Sequence, residues 1–587
     1  RKDRAVRNPL TEFAIHHPRW VVALAILITV GFLAQFPRIQ IDTDPENMLP
    51  EDEPARIFHH ELKEAFNLKD FLVLGIVREE GVFNPTSLAR VAAITEELLE
   101  IEGVVADDVM APSEVDDITV EEGGVLRVAP LMEEAPQDQA TADHILERIK
   151  MNAILRGKLA SNDGKTIALF IPIEDKGESF EIGEQITEIT QRHGGDEEFY
   201  LAGLPMAEDT FGGAMFKQMA ISAPLAMLIL FLLMLYFFRN VRMVATAMAL
   251  AMMAVIWGMG ALIGLGFTVH IMSSMIPIFL IPIAILPSIH IMSEMLDHKA
   301  KAETVADAVR GAMGYLFKPV LFTTITTVVG FASLIATPIP PVQVFGAFVA
   351  FGIVAAWMLS MSFLPAMVML ETHRGTDPVP NADDSEGGLA HYLQRVRVMA
   401  IAGRWPITII SALIFLTSVY GLSKVQVNDN PVRWFKAGHP LRVADQVMNS
   451  HLAGTYMAYV ELKSEDDDRI KDPAVMRWIE ALQAHLDAHE NVGATTSVVD
   501  VVKKVNFELN FEDPAKLVLP DEQLAIAQLL FLYEMSGGSP DDLYHFITPE
   551  ASAANVWVQM RAGENAEVAA VVDFAAEYVE SHPLPEG

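Results

Sequence analysis

Five apolar segments with hardly a charge inside them occupy the middle of the chain, at 219–238, 243–265, 269–292, 319–336 and 342–370. Each reaches, or nearly reaches, the length that crosses a hydrocarbon core of about 30 Å at about 1.5 Å per residue. Lipid offers backbone groups no water partner, so such segments have to be helices. A sixth apolar run, 20–36, precedes them and a seventh, 406–422, follows. The pattern therefore predicts seven spans, numbered below in chain order. Between the first two spans, strand-like runs at 71–77, 166–173 and 198–202 alternate with helical runs at 85–101, 142–160 and 180–193. That alternation predicts an α+β or α/β domain with split βαβ units. A strand stops at Gly203 and Pro205, and a helix then runs on into the second span. Residues 371–390, rich in Pro, Gly, Asp and Ser, read as a linker, and 391–404 as a basic amphipathic helix on the inner interface.

The division that follows has six parts. Residues 1–36 form a cytoplasmic N-terminus and the first span, and 37–218 a first extracytoplasmic domain. Residues 219–370 hold spans two to six, 371–405 the linker and amphipathic helix, 406–422 the seventh span, and 423–587 a second extracytoplasmic domain. Basic residues set the orientation. Arg1, Lys2, Arg4, Arg7 and Arg19 precede the first span, and Trp20 suits an interface. Arg239 and Arg242, then Lys299, Lys301, Arg310 and Lys318, fall on the same side, while the turns 264–268 and 337–342 carry no charge. Every basic short loop lands with the N-terminus, as the positive-inside rule requires of a cytoplasmic face.

Composition sharpens this picture. The chain of 587 residues is 51% hydrophobic yet carries a formal charge of −35. Large acidic soluble parts must balance the apolar spans: residues 37–218 hold 15 Lys and Arg against 39 Asp and Glu, a net charge of −24. An acidic surface of this kind is a solvated face, and it argues against nucleic acid and anionic headgroups as docking partners. There is no cysteine, so disulfides and thiol chemistry are excluded. The first residue is Arg1, which points to residues upstream, and no small-residue cleavage motif follows the first span.

The second half restarts like the first. Pro18-Arg19-Trp20 before the first span is echoed by Arg404-Trp405-Pro406 before the seventh. The stretch 39–45, Ile-Gln-Ile-Asp-Thr-Asp-Pro, is echoed by 425–431, Val-Gln-Val-Asn-Asp-Asn-Pro, each followed by an amphipathic helix and a strand. Repeated halves suit a transporter whose two states exchange by rocking one half on the other; a duplicated anchor without transport is the plainer alternative. In this order of parts the chain resembles the resistance-nodulation-division (RND) superfamily, in its MmpL-like, hydrophobe or lipid exporter branch. The match is carried by the stretch 42–50 after the first span, 152–165 before a strand, and Gly203-Leu204-Pro205 entering the second span. It is also carried by 281–294 ending the fourth span, by Lys318-Pro319, and by Thr323, Thr324 and Thr327 in the Thr-rich start of the fifth. The resemblance implies an internally repeated, polytopic α-helical membrane protein with porter-like α/β domains outside the membrane. It implies an inner-membrane exporter of a hydrophobic or amphiphilic substrate, a lipid first, driven by the proton gradient. A drug or small-hydrophobe pump and a non-transporting lipid-sensing or secretion-auxiliary protein are the rivals. Expected partners are the substrate, membrane lipids, a periplasmic lipid carrier or envelope protein, and further copies of the chain in a homo-oligomer.

Two departures from the family bear on mechanism. The family has a second set of five spans where this chain stops at Gly587. Its proton-driven members place an acidic residue in the middle of the fourth span, whereas no Asp or Glu lies between Val269 and Ser293. What remains there is His290, with Ser288 before it and Glu294 four residues on, sharing a helix face. A neighbouring carboxylate favours the imidazolium, and imidazole titrates in the useful range. Thr323, Thr324 and Thr327 supply hydroxyls to the same candidate relay, while an interfacial, structural role for His290 and Glu294 is the alternative. Pro277, Pro282 and Pro287 each remove a helix hydrogen bond and mark a hinge or a packed kink. Gly258, Gly260, Gly264 and Gly266 permit close helix contact. The Met-rich third and fourth spans suit either an adaptable apolar site or plain packing. The apolar helix 524–533 lines a cavity or forms domain core. No phosphate loop, catalytic triad or Cys/His metal site is present, so no enzyme activity, cofactor or metal is expected.

Overall fold

The structure, a computed structural model, describes residues 9–121, 125–299, 302, 304–371 and 388–585. The basic residues Arg1, Lys2, Arg4 and Arg7, Lys301 and most of the predicted linker lie outside the described residues. The chain forms two compact units, 1–42 with 214–427 and 43–213 with 428–587.

The first unit is the helical one. Seven helices among the described residues are long and apolar enough to cross a bilayer: Pro18–Arg38, Leu204–Phe238, Val241–Gly264, Ser273–His298, Val305–Ala336, Pro340–Glu371 and Arg404–Leu422. The third and sixth are 72% and 67% buried, against 11% or less for the first, second, fifth and seventh, so these two form the centre of the bundle. Small residues on the third span allow that packing. A Cβ on Gly260 would lie 2.6 Å from the Phe32 carbonyl oxygen of the first span, a distance no side chain tolerates. The Trp257 indole, a turn away, donates to Thr29 Oγ1 at 2.9 Å.

Two span boundaries differ from the hydrophobic pattern. The fourth helix begins at Ile276, seven residues after Val269. Val269 and His270 instead form a short strand, parallel to Ile41–Asp42. Gly266, at φ +86°, turns the chain out of the third helix. The fifth helix begins at Val305, capped by the Thr304 side chain, and runs through Pro319. A proline reads as a boundary, but this helix carries its polar first turns unbroken into the apolar part. The helix predicted at 391–404 is found as Gly388–Ala402.

The second unit holds both soluble segments. From the first come α1 (Pro54–Ala65), β1 (Asp70–Val77), α2 (Pro85–Leu98), β2 (Asp116–Glu121), β3 (Val125–Pro130), α3 (Gln139–Met151), β4 (Thr166–Ile173), α4 (Ser179–Arg192) and β5 (Glu198–Ala202). From the second come α5 (Pro440–His451), β6 (Tyr456–Lys463), α6 (Pro473–Leu486), β7 (Val492–Thr496), α7 (Val498–Leu509), α8 (Gln523–Met535), β8 (Ala553–Met560) and α9 (Asn565–Ser581). One sheet has the order β4-β1-β5, with β1 antiparallel to both neighbours. The other has the order β6-β8-β7, with β8 antiparallel to both. Strands β4 and β5, joined by α4, are thus parallel with β1 between them, and β6 and β7, joined by α6, are parallel with β8 between them. Each sheet is a split βαβ arrangement.

The run Phe-Leu-Val-Leu-Gly-Ile-Val in β1 has no polar alternation because both faces of the strand are covered. Leu72, Leu74 and Ile76 face the helices of their own segment. Val73, with Ala168 and Phe170, meets Ala444, Met448 and Leu452, which belong to α5 and the residue after it. Gly75 leaves the space that the Met448 thioether fills. The exchange is reciprocal: Leu62, Phe66 and Leu68, on and just after α1, pack on Ala553, Tyr459 and Trp557 of the other sheet. The two acidic segments are therefore one body, each lending a helix to its partner's sheet.

A buried ion network also joins them. Arg148 on α3 binds Asp117 at 2.5 Å, Glu508 at 3.0 Å and Glu512 at 2.8 Å. Lys504 adds a bond to Glu508 at 2.6 Å.

Candidate functional site

Inside the second unit, where the two segments meet, lies a cavity of about 170 Å³. Its floor is one face of the sheet β6-β8-β7. Trp557 of β8 stands opposite Tyr459 on β6 and Thr496 on β7, and Gln559 opposite Met457, so these side chains share a face. The first segment supplies the facing wall with Leu68, Phe71, Val109, Met110 and Phe170. Phe71 and Phe170 meet edge to face at 5.5 Å. Tyr533 of α8 and Phe546 close the third side. The apolar helix read at 524–533 thus does both things weighed for it: Ile526, Leu529 and Leu530 are core, and Tyr533 reaches the cavity.

Polar groups gather at two places in the lining. One is acidic. Asp108 pairs with His545 Nε2 at 3.7 Å, and the Tyr533 hydroxyl donates to Asp542 at 3.3 Å. Burial, with the Asp542 carboxylate adding to it, pushes Asp116 up to about 6. Burial also raises Asp542. For His545 burial works against the imidazolium, but Asp108 and the Phe66 carbonyl outweigh it and hold the ring above its ordinary value. The other place is Lys158, 4% exposed, whose ammonium lies 5.6 Å from the centre of the Trp557 ring. An apolar, aromatic-walled space with a few convergent polar groups is the usual form of a small-molecule site. Its volume is near that of an engineered apolar cavity of about 150 Å³ that takes benzene, so it seats one ring or a short stretch of acyl chain.

The residues picked out in the fourth and fifth spans fall differently. His290 is exposed, on the face it shares with Pro282 and Leu286. Glu294 pairs with His298 at 3.2 Å rather than with His290. Ser288 is fully buried on the opposite face with its hydroxyl unpaired. Thr323 donates to the Pro319 carbonyl at 3.0 Å and Thr327 to that of Thr323 at 2.8 Å, each bonding its own helix; Thr324 is buried. No hydrogen bond among the described residues joins His290, Ser288 or Glu294 to these threonines. Of the three prolines, Pro277 occupies the first turn of the helix, where a missing N–H costs nothing. Pro282 and Pro287 lie inside it. The sequence reading passed over the cavity residues, because the elements that form its walls are hundreds of residues apart. Within the first unit it also missed His270 Nδ1 paired with Asp42 at 3.2 Å, where the two short strands meet.

Comparison with known proteins adds the family. The model of the MMPL family matches residues 114–409, from the start of the β2–β3 pair to the seventh span. Over 381 residues, 63% of this chain and 94% of the relative, the sequence is 20% identical to a protein of Methanocaldococcus jannaschii described as a membrane protein. With a match over half its length and seven apolar helices long enough to cross a bilayer, the chain belongs to the MMPL family and is a polytopic, RND-type membrane transporter.

Proposed function

We propose that this chain moves a hydrophobic or amphiphilic molecule, in the first place a lipid, across or out of a bacterial inner membrane toward the outer envelope. The observation that carries the reading is the aromatic-walled cavity between the two intertwined segments of the second unit. An acyl chain entering it gains about 25 cal/mol for each Å² of apolar surface withdrawn from water. The two sheets share one strand plan, and in each segment an amphipathic helix precedes the first strand. These likenesses support a duplicated origin and, with it, a mechanism in which one half moves against the other. The basic short loops, all on the side of the N-terminus, support a soluble unit outside the cytoplasm. Proton coupling through the fourth span is part of the proposal and rests on His290.

The test is lipid mass spectrometry on the full chain purified gently from its native membrane. The comparators are a Met457→Trp variant, whose indole fills the cavity, and an unrelated membrane protein. A lipid class enriched in the wild type and lost from the variant supports the reading. Bulk lipid in membrane proportions in all three samples refutes it, and favours small-hydrophobe export or a non-transporting role.

A further inference from the structure

The cavity holds a buried cation with no carboxylate partner among the described residues. Lys158 is 4% exposed, and its Nζ donates to a single group, the Thr496 hydroxyl. Among the described residues no carboxylate lies within ion-pair distance of it. Asp500 and Asp487 act on it only from further away, and burial, against their pull, pushes its ammonium down to about 8. Burying an ammonium without an anionic partner is costly, and an apolar side chain of the same length would fill the space at no such cost. An ammonium carries three donors, so at least one faces the cavity unspent.

A second orphan group lines the same cavity. Gln559 is 1% exposed; its amide nitrogen donates to the Gly454 carbonyl at 2.7 Å, and its Oε1 has no partner. Gln559 lies two residues from Trp557 on β8, hence on the same face and about 7 Å along the strand. The ammonium sits over that same Trp557 ring. The lining of the cavity therefore includes both a lysine with no carboxylate partner and a glutamine carbonyl with no donor, each within reach of Trp557. Of the acidic groups in the lining, Asp108 is engaged with His545 and Asp542 with Tyr533, while Asp107, Glu114 and Asp116 also line the cavity.

We infer that Lys158 and Gln559 form a headgroup site for an amphiphile that carries an anionic oxygen beside a hydroxyl, such as a glycerophosphate, with only the first carbons of its acyl chain against Phe71, Phe170 and Trp557 and the rest leaving through the cavity mouth. The inference rests on the proposed function and names its substrate class. The phosphate oxygen accepts from the Lys158 ammonium, and the glycerol hydroxyl donates to Gln559 Oε1. A neutral glyceride satisfies only the second group, a fatty acid only the first, and an alkylamine neither.

The test is equilibrium binding of four oleoyl probes to the purified full chain in detergent: lysophosphatidic acid, oleic acid, monooleoylglycerol and oleylamine. A charge-assisted hydrogen bond in a buried site is worth about tenfold or more in affinity. Lysophosphatidic acid is therefore expected to bind at least about tenfold more tightly than monooleoylglycerol. Lys158→Met is expected to bring it down to the monooleoylglycerol level. Equal affinity for all four probes in the wild type, or tightest binding of oleylamine, overturns the headgroup site while leaving the apolar cavity standing. Failure of all four to bind overturns the cavity reading itself. The wild-type ranking decides the matter even where Lys158→Met fails to fold.

Discussion

Replacing Arg148 by Met tests how the two soluble segments are held together. The Arg148 side chain is 8% exposed and satisfies Asp117 and Glu508, which are 7% and 2% exposed, together with the Ile118 carbonyl at 2.7 Å. In the wild type two buried cations, Arg148 and Lys504, face these two buried carboxylates. Methionine keeps the aliphatic length and removes the charge and every donor, which leaves Lys504 alone between Glu508, at 2.6 Å, and Asp117, at 3.9 Å. Breaking a buried ion pair from one side costs about 3–5 kcal/mol, because the surviving charge stays buried. A domain of 150–250 residues loses about 2–4 °C for each kcal/mol, so the larger unit here should lose roughly 5–10 °C. The assay is thermal unfolding of the full chain in detergent, followed by tryptophan fluorescence, with limited proteolysis reporting separation of the segments. Neutralising the one carboxylate left in excess as well, in Arg148→Met with Asp117→Asn, keeps the Lys504–Glu508 pair and should recover most of the loss. A single variant that melts within about 1 °C of wild type, or a double variant no better than the single, refutes the view that charge compensation is what Arg148 contributes.

Three further outcomes are expected. The Asp116 carboxyl lies near 6 in the fold against 3.8 unfolded, so the folded state holds its proton more tightly and stability falls as pH rises from about 4 to 6. Asp116→Asn should therefore raise the melting temperature at pH 7.5 and leave it unchanged at pH 3.5; a variant less stable at pH 7.5 contradicts this sign. Gly260→Val should disrupt the contact between the first and third spans and cost on the order of 1–3 kcal/mol by overpacking, read as lost monodispersity and a lower melting point, whereas Gly266→Ala meets open space but pays for its positive φ. His290→Ala should abolish gradient-dependent substrate movement in proteoliposomes with an unchanged melting point, since His290 is exposed; undiminished transport removes His290 from the coupling mechanism.

Apolar runs long enough to span a bilayer are local properties, so the sequence alone indicated a membrane chain and the seven long apolar helices found among the described residues. The strands were legible for a related reason: β1 and β4 are unbroken apolar runs because both of their faces are covered. Boundaries were less so. Pro319 reads as a helix start because a proline usually breaks a helix, yet the fifth helix begins at Val305. Val269 reads as membrane helix because nothing local reveals its pairing with Ile41. The candidate site depended on the tertiary structure altogether. His290 and Glu294 share a helix face in any reading, but only the folded chain shows the carboxylate turned to His298. Lys158 and Gln559 are about four hundred residues apart in a chain full of such residues. What marks them is a lysine without a carboxylate and a glutamine carbonyl without a donor in one apolar cavity. That juxtaposition arises because each soluble segment completes its core with the other's helix, and spacing along the chain carries no trace of such an exchange.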